Sequence, residues 1–360
     1  MAPTSASLPD EAKGGASMTL ILGLESSCDD SAAALVTSDR QVLAQAVVGQ
    51  HEAHRPFGGV VPEIAARAHS EILPGLIRSV LDDAGLSVRD IDAVAATAGP
   101  GLIGGVMVAL LAGKGISLAA GKPLIAVNHL EGHALSPRLV DPDLDFPYLL
   151  LLASGGHCQL LEVRGVGDYR RIATTIDDAA GEAFDKAAKI LGLDYPGGPA
   201  IEQLAEDGDS KAVPLPRPLV GSGEPHFSFA GLKSAVQRAS TSGEHRPADI
   251  AASFQQAVVD CLVDRTQLAL SECDAPALVV AGGVAANRSI RSALAALAAR
   301  EKRAFVVPPP WLCTDNAAMI AWAGAERLGA RLVDGLDAPA RARWPLDETA
   351  GKVRGAGVKA

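Results

Sequence analysis

Short apolar runs alternate along the chain with glycine-rich or polar turns and with longer amphipathic stretches, the rhythm of an α/β protein. Residues 19–24 predict a buried strand. The polar turn Glu25-Ser26-Ser27-Cys28-Asp29-Asp30-Ser31 and a second apolar run at 32–36 complete a β-hairpin with a hydroxyl- and carboxylate-rich tip. Residues 147–153, the turn Ser154-Gly155-Gly156-His157 and residues 158–163 repeat that arrangement with a small-residue tip. Two such openings predict a duplicated, two-lobed architecture. Further strands are expected at 91–97, 123–127, 277–281 and 305–307. Helices are expected from Pro62 to about Asp83, after the turn Gly99-Pro100-Gly101, from about Ala180, after Gly282-Gly283, and in an Ala-rich stretch started by Cys313-Thr314-Asp315-Asn316-Ala317 with Thr314 or Asp315 as its cap. No stretch reads as long and apolar enough to span a bilayer.

The turns carry the candidate chemistry. His129 and His133 stand four apart just after the strand at 123–127, so a helix there places both imidazoles on one face. Such a pair can hold one metal ion, or it can be two unrelated polar histidines. A zinc-protease helix needs Glu at position 130, and the reversed pattern needs it at 132; Leu130 and Gly132 stand there, and both patterns fail. Asp315, at a helix start, is either a cap or an oxygen ligand beside the two histidines. The strand–Gly-rich turn–helix segments at 99–105 and 282–288 suit close approach of an anion, though neither has the Rossmann or P-loop spacing, and tight helix–strand packing would also explain their glycines. Asp185 can bond ribose hydroxyls or pair with a helical lysine, and Asn287 can bond a base, ribose or phosphate.

Composition narrows the function. The 360-residue chain has a net charge of −10 and a pI near 5.3, too acidic to hold nucleic acid without a local basic patch or a basic partner. Aromatic residues make up only 4%, so a site that stacks a base has few rings to use. The cysteines Cys28, Cys158, Cys261, Cys273 and Cys313 form no Cys-x-x-Cys pair, which fits a reduced, cytoplasmic location. Residues 1–17 have no apolar core and read as a disordered extension, not a signal peptide. Beyond about Leu336 a tail bearing Arg341, Arg343, Lys352, Arg354 and Lys359 reads as flexible, its charges the best local candidates for nucleic acid, though a merely solvated tail is the default reading.

Ten segments in order complete the picture: GLESSCDD, GGVVPEIAARAH, GPGLIGGV, NHLEGH, SGGH, GEAFDK, YPGGP, FSFAGLKSAV, GGVAANR and CTDNAAMIA. From about Leu22 to Asp347 the chain resembles the universal tRNA threonylcarbamoyladenosine transferase family, the TsaD family, once labelled sialoglycoprotein endopeptidases. The resemblance implies an actin/Hsp70/sugar-kinase-like (ASKHA) fold with two lobes and a central cleft. The N-terminal lobe would span 18–145 and be completed by a helix at about 315–337, the C-terminal lobe would span 146–314, and 338–360 would be tail. The implied reaction transfers a threonylcarbamoyl group from threonylcarbamoyl-AMP to the adenosine beside the anticodon, in tRNAs reading codons that begin with adenine.

By motif position the resemblance makes His129, His133 and Asp315 the ligands of one divalent ion, Fe2+ in preference to Zn2+. It makes Leu152, Ala153, Ser154, Gly155 and Gly156 the substrate-binding segment, with nucleotide contacts at Asp185, Gly198 and Asn287. Glu202 joins them, although many relatives carry Asp there. Asp29 and Asp30 are candidates for a catalytic base by chemistry alone. Implied partners are tRNA, a TsaB-like paralogue and a TsaE-like ATPase, with no membrane. A kinase of the same fold is the main alternative, but Glu25-Ser26-Ser27 stands where its Asp-x-Gly phosphate hairpin belongs. A metalloprotease is disfavoured by Leu130 and Gly132.

Overall fold

The computed structural model describes residues 18–57, 59–351 and 353; the expected extension at 1–17 lies outside them. Its strands are β1 (Leu20–Glu25), β2 (Asp30–Thr37), β3 (Val42–Gly49), β4 (Ala93–Gly99), β5 (Leu124–Asn128), β6 (Tyr148–Ala153), β7 (Cys158–Gly165), β8 (Asp168–Thr174), β9 (Ala277–Ala281) and β10 (Ala304–Val306). Its helices are α1 (His51–His54), α2 (Pro62–Asp83), α3 (Ile103–Ala120), α4 (His129–Val140), α5 (Ala180–Ile190), α6 (Gly197–Ala205), α7 (Ala230–Ser242), α8 (Pro247–Ser271), α9 (Arg288–Arg300), α10 (Pro310–Cys313) and α11 (Ala317–Gly329).

The strands form two sheets of five, ordered β3-β2-β1-β4-β5 and β8-β7-β6-β9-β10. In each, the first three strands of the lobe pair antiparallel, and the last two add in parallel beside the first. The same order built twice is the duplicated mixed-sheet core of the actin/Hsp70/sugar-kinase-like class, as expected. The hairpins at 20–37 and 148–165 form as the apolar pattern predicts.

Strand alternation decides what faces what. Leu20, Leu22 and Leu24 join the core under α2 and α3, while Ile21 joins the opposite core with α11. Gly23 and Glu25 therefore face α11 as well. A Cβ on Gly23 would lie 2.4 Å from the Ala317 carbonyl oxygen, so the helix approaches the sheet this closely only over glycine. The end of β1 thus points Glu25 at the start of α11.

Four expectations need correction. The pattern did not assign β3, β8 or α8, the longest helix. Helix α3 is long and apolar enough by length and composition to cross a membrane. It nonetheless lies on the first sheet, where a Cβ on Gly113 would meet the Ala96 side chain at 2.7 Å. The cap of α11 is neither Thr314 nor Asp315: the Met319 N–H donates to Asn316 Oδ1 (2.9 Å), which leaves the Asp315 carboxylate free for other work. The tail, expected to be flexible from 338, runs as a strap over both lobes through 351. The Arg341 N–H donates to the Ala98 carbonyl (2.7 Å), Asn128 Nδ2 to the Trp344 carbonyl (2.9 Å), and the Arg171 N–H to Asp347 Oδ2 (2.9 Å). Arg341 also pairs with Glu348 at 3.1 Å, so it is not an idle charge.

Candidate metal centre and substrate cleft

Strand β5 ends at Asn128, whose Oδ1 accepts the Leu130 N–H (2.9 Å) and so caps α4. His129 and His133 then lie one turn apart, ring centroids 4.8 Å from each other and nearly perpendicular. Asp315 enters from the far end of the sequence, just before α11. Its Oδ1 lies 3.4 Å from His129 Nε2 and 3.1 Å from His133 Nε2. One donor atom from each of the three residues falls within 4.8 Å of the others, a spacing suited to a shared cation.

The residue that the sequence reading missed is Glu25. Its Oε1 accepts the Ser27 N–H (2.5 Å), and its Oε2 accepts the Thr97 hydroxyl (2.5 Å) and His129 Nδ1–H (3.0 Å). Ser27 Oγ is also 3.1 Å from the same nitrogen. The available signal was a carboxylate closing an otherwise apolar strand, which burial permits only with partners.

This wiring tests the fit of a metal. With its proton held on Nδ1 by Glu25, a neutral His129 turns the Nε2 lone pair toward the Asp315 carboxylate. Two electron-rich atoms face each other, and a cation between them or a proton on the ring relieves the repulsion. Burial disfavours the charged ring, but Asp315 and Glu25 outweigh it and hold His129 well above the ordinary histidine range. Burial also opposes ionisation of Asp315, yet His129 and His133 keep its carboxyl well below the usual range. The donor set therefore fits a divalent ion, with Glu25 the outer partner that orients its histidine.

Glu131 turns away from the imidazole pair, as its position predicts. It is nevertheless buried, accepting the Tyr169 hydroxyl (2.9 Å) and Arg327 Nη1 (3.1 Å), and it ties α4 to β8 and α11.

The other site candidates line the two lobes. Asp29 and Asp30 occupy the first hairpin tip. Burial, then Asp315, Asp29 and Glu25, push the Asp30 carboxyl up to about 7. Leu152 and Ala153 are buried in β6, so they can offer only backbone to a ligand. Ser154 closes the second tip through its N–H to the His157 carbonyl (2.8 Å), and nothing crowds Gly155 or Gly156. Asp185 makes no helical ion pair; its Oδ1 accepts the Gly197 N–H (2.8 Å), next to an uncrowded Gly198. Lys186 pairs instead with Asp178 and Glu182.

Asn287 and Glu202 are more committed than expected. Asn287 Oδ1 caps α9 by accepting the Ile290 N–H (3.0 Å), and its Nδ2 donates to Gln255 (2.8 Å), so one amide hydrogen remains. Glu202 accepts the Arg288 N–H (2.7 Å) beside a cavity of about 390 Å³ bordered by Gln255 and Ser289.

Comparison with known proteins identifies the family of the chain. The sequence profile of the family "TsaD: tRNA N6-adenosine threonylcarbamoyltransferase" matches residues 41–322. A Sphingopyxis alaskensis protein named tRNA N6-adenosine threonylcarbamoyltransferase is 74% identical over 95% of this chain and 100% of its own length. One of the same name from Novosphingobium aromaticivorans is 68% identical over 95% of this chain and 100% of its own. Among solved structures, component A of the (R)-2-hydroxyglutaryl-CoA dehydratase of Acidaminococcus fermentans is similar, with a TM-score of 0.54. It is 17% identical and covers 87% of this chain and 99% of that one, a likeness of fold alone. On its sequence and its arrangement of motifs, this chain belongs to the tRNA N6-adenosine threonylcarbamoyltransferase family, and it is a transferase.

Proposed function

We propose that the transfer takes place at a divalent ion held by His129 Nε2, His133 Nε2 and Asp315, with iron(II) preferred over zinc. The convergence of these three donors on one point carries the reading. Two imidazoles and one carboxylate leave open positions, a set that suits iron(II). Bound there, the ion supplies Lewis-acid stabilisation of the charge that develops on the carbamoyl and phosphate oxygens.

The protein's own residues do the rest. Glu25 fixes the ring orientation of His129. Leu152 to Gly156 present backbone to the threonylcarbamoyl adenylate, and the uncrowded Gly155 and Gly156 admit it closely. Asp185, Gly198 and Asn287, with Glu202 behind them, hold its nucleoside. The acceptor N6 attacks the carbamoyl carbon, the bond from that carbon to the phosphate oxygen breaks, and AMP leaves. Asp29 and Asp30 are the candidates to take the N6 proton. The raised pKa of Asp30 favours it, because a base poised near the working pH transfers protons best.

A cytoplasmic setting and companion proteins belong to the same reading. Helix α3 presents Ile103, Met107, Leu111 and Leu118 to solvent on one face, an apolar row suited to a TsaB-like paralogue. With a TsaE-like ATPase, such a partner would offset the acidity of this chain when tRNA binds. The test is reconstitution with synthetic threonylcarbamoyl-AMP and unmodified tRNA, with and without the companions. His129→Ala should lose both metal and transfer while keeping its circular-dichroism spectrum. Full transfer by that variant would refute the metal-centred reading.

A further inference from the structure

The acceptor is a base in a polyanionic tRNA, yet the carboxylates of Asp29, Asp30 and Asp185 lie near one another at the candidate site. Carboxylates repel the phosphates, so the attraction that seats the acceptor there has to act on the neutral base. Enzymes that work on a nucleobase draw it out of its stack and commonly hold it against an aromatic ring.

Rings are scarce in this chain: 3 Tyr, 3 Trp and 7 Phe. Most are spent in the cores; Tyr148, Phe227, Phe229 and Phe254 are fully buried. Among the described residues the most exposed rings are Phe57 (61%), Tyr195 (55%) and Trp311 (40%). Tyr195, in the turn before α6, belongs to the second lobe. Its ring centroid lies 5.7 Å from that of His51, on the first lobe, at an interplanar angle of 56°. The two rings are tilted against each other and not stacked. His51 Nδ1 is in turn 3.8 Å from Asp29 Oδ2, on the acidic hairpin tip.

The mounting is rigid. The Gly197 N–H donates to Asp185 Oδ1, and a Cβ at 197 would fall 2.6 Å from the Asp185 Cα, so the turn is pressed onto α5. The phenol is neutral at working pH, and partial burial with Asp29 and Asp185 nearby pushes its ionisation further up.

We infer that Tyr195, opposed by His51 on the first lobe, is the platform on which the acceptor adenine of the tRNA stacks before its N6 is acylated. The inference rests on the transfer site proposed above and adds to it the seat of the second substrate. The nucleoside of the donor is assigned to Asp185, Gly198 and Asn287, within the second lobe. Tyr195 instead faces the other lobe, beside the candidate bases Asp29 and Asp30, where the amine has to arrive.

The test is steady-state transfer by the full chain with its metal and companions, varying tRNA and threonylcarbamoyl-AMP in turn. Stacking on an aromatic ring typically contributes enough that its loss weakens binding about 5- to 150-fold. Tyr195→Leu should raise KM for tRNA by that factor while KM for the adenylate and the metal content stay within about twofold of wild type. Tyr195→Phe, which keeps the ring, should return KM for tRNA to near the wild-type value. A rise in KM for the adenylate instead would place Tyr195 in the donor pocket and overturn the inference. So would an unchanged KM for tRNA, or a Phe variant as impaired as Leu. His129→Ala serves as the control: if it still transfers, the metal-centred reading fails, whatever Tyr195 does.

Discussion

Replacing Glu25 by Gln tests the wiring of the metal centre without removing a ligand. The side chain keeps its size, but one oxygen becomes an NH2 group. Both carboxylate oxygens accept hydrogen bonds, Oε1 from the Ser27 N–H and Oε2 from Thr97 and His129 Nδ1. Either orientation of the amide therefore sets a donor against a donor. If the NH2 faces Ser27, a buried backbone N–H loses its partner, at a cost of about 1–3 kcal/mol. If it faces His129, the ring turns or shifts its proton to Nε2, the nitrogen that should bind metal. Outer partners of this kind are typically worth about 10- to 100-fold in metal affinity, or roughly 1.4–2.8 kcal/mol. Glu25→Gln should thus bind Co2+ or Zn2+ about 10- to 100-fold more weakly in a competition titration against a chelator. Its near-UV circular dichroism should remain close to wild type, and excess metal should restore part of its transfer activity. An affinity within twofold of wild type would show that Glu25 does not orient His129.

Three further outcomes follow from the same geometry. Chelation should abolish transfer by the wild-type protein, and Fe2+ should restore more of it than Zn2+; transfer that survives complete metal removal, verified by elemental analysis, would contradict a metal centre. Gly99→Ala puts a Cβ 1.9 Å from the Arg341 carbonyl oxygen at a φ of +137°, so the strap has to lift; unfolding in urea should show a loss of about 2–4 kcal/mol. In the metal-free protein the Asp30 carboxyl is raised to about 7, so the folded state holds a proton that the unfolded chain releases near pH 4. The stability tied to that proton is fully present below about pH 4 and is lost as the pH climbs through about 7. Asp30→Asn should therefore gain stability relative to wild type over that interval, and parallel melting curves at pH 4 and pH 8 would refute the assignment.

How far the chain could be read depended on whether a feature was local. The His129/His133 pair was legible because the helix period alone puts both rings on one face. The hairpins were legible because their apolar runs and turns are adjacent. Asp315 was legible only as one of two readings, cap or ligand: 182 residues separate it from His133, and its local pattern is that of a helix cap. Only the presence of Asn316 as the actual cap shows that the carboxylate is free to turn inward. Glu25 was overlooked for the same reason, since its partners Thr97 and His129 lie 72 and 104 residues away. Strand β3 escaped because it lies at the sheet edge, where Leu43, Val47 and Val48 stay exposed and blur the alternation. The strap was misread because its hold depends on bonds to β4, to the glycine turn after it, to Asn128 and to β8, all remote in sequence. Basic side chains in sequence said nothing about those contacts.

The two hairpin tips of the duplicated core differ in chemistry. Each lobe opens with the same kind of hairpin in a sheet of the same strand order. In the first lobe the tip is Glu25 to Asp30, a set of carboxylates and hydroxyls that orients an imidazole and gathers negative charge. In the second it is Ser154 to Gly156, with two residues that bear no side chain and nothing crowding them. A tip rich in carboxylates repels a phosphate, and a tip of glycines cannot orient a metal ligand. Neither could serve in the other's place. On the proposed reading the two hairpins split the task, the first orienting a metal ligand and taking the proton, the second admitting the acylated nucleotide. That division predicts an asymmetry in tolerance. Adding a carboxylate at Gly155 should weaken the adenylate and leave metal binding intact, whereas neutralising Glu25 should do the reverse.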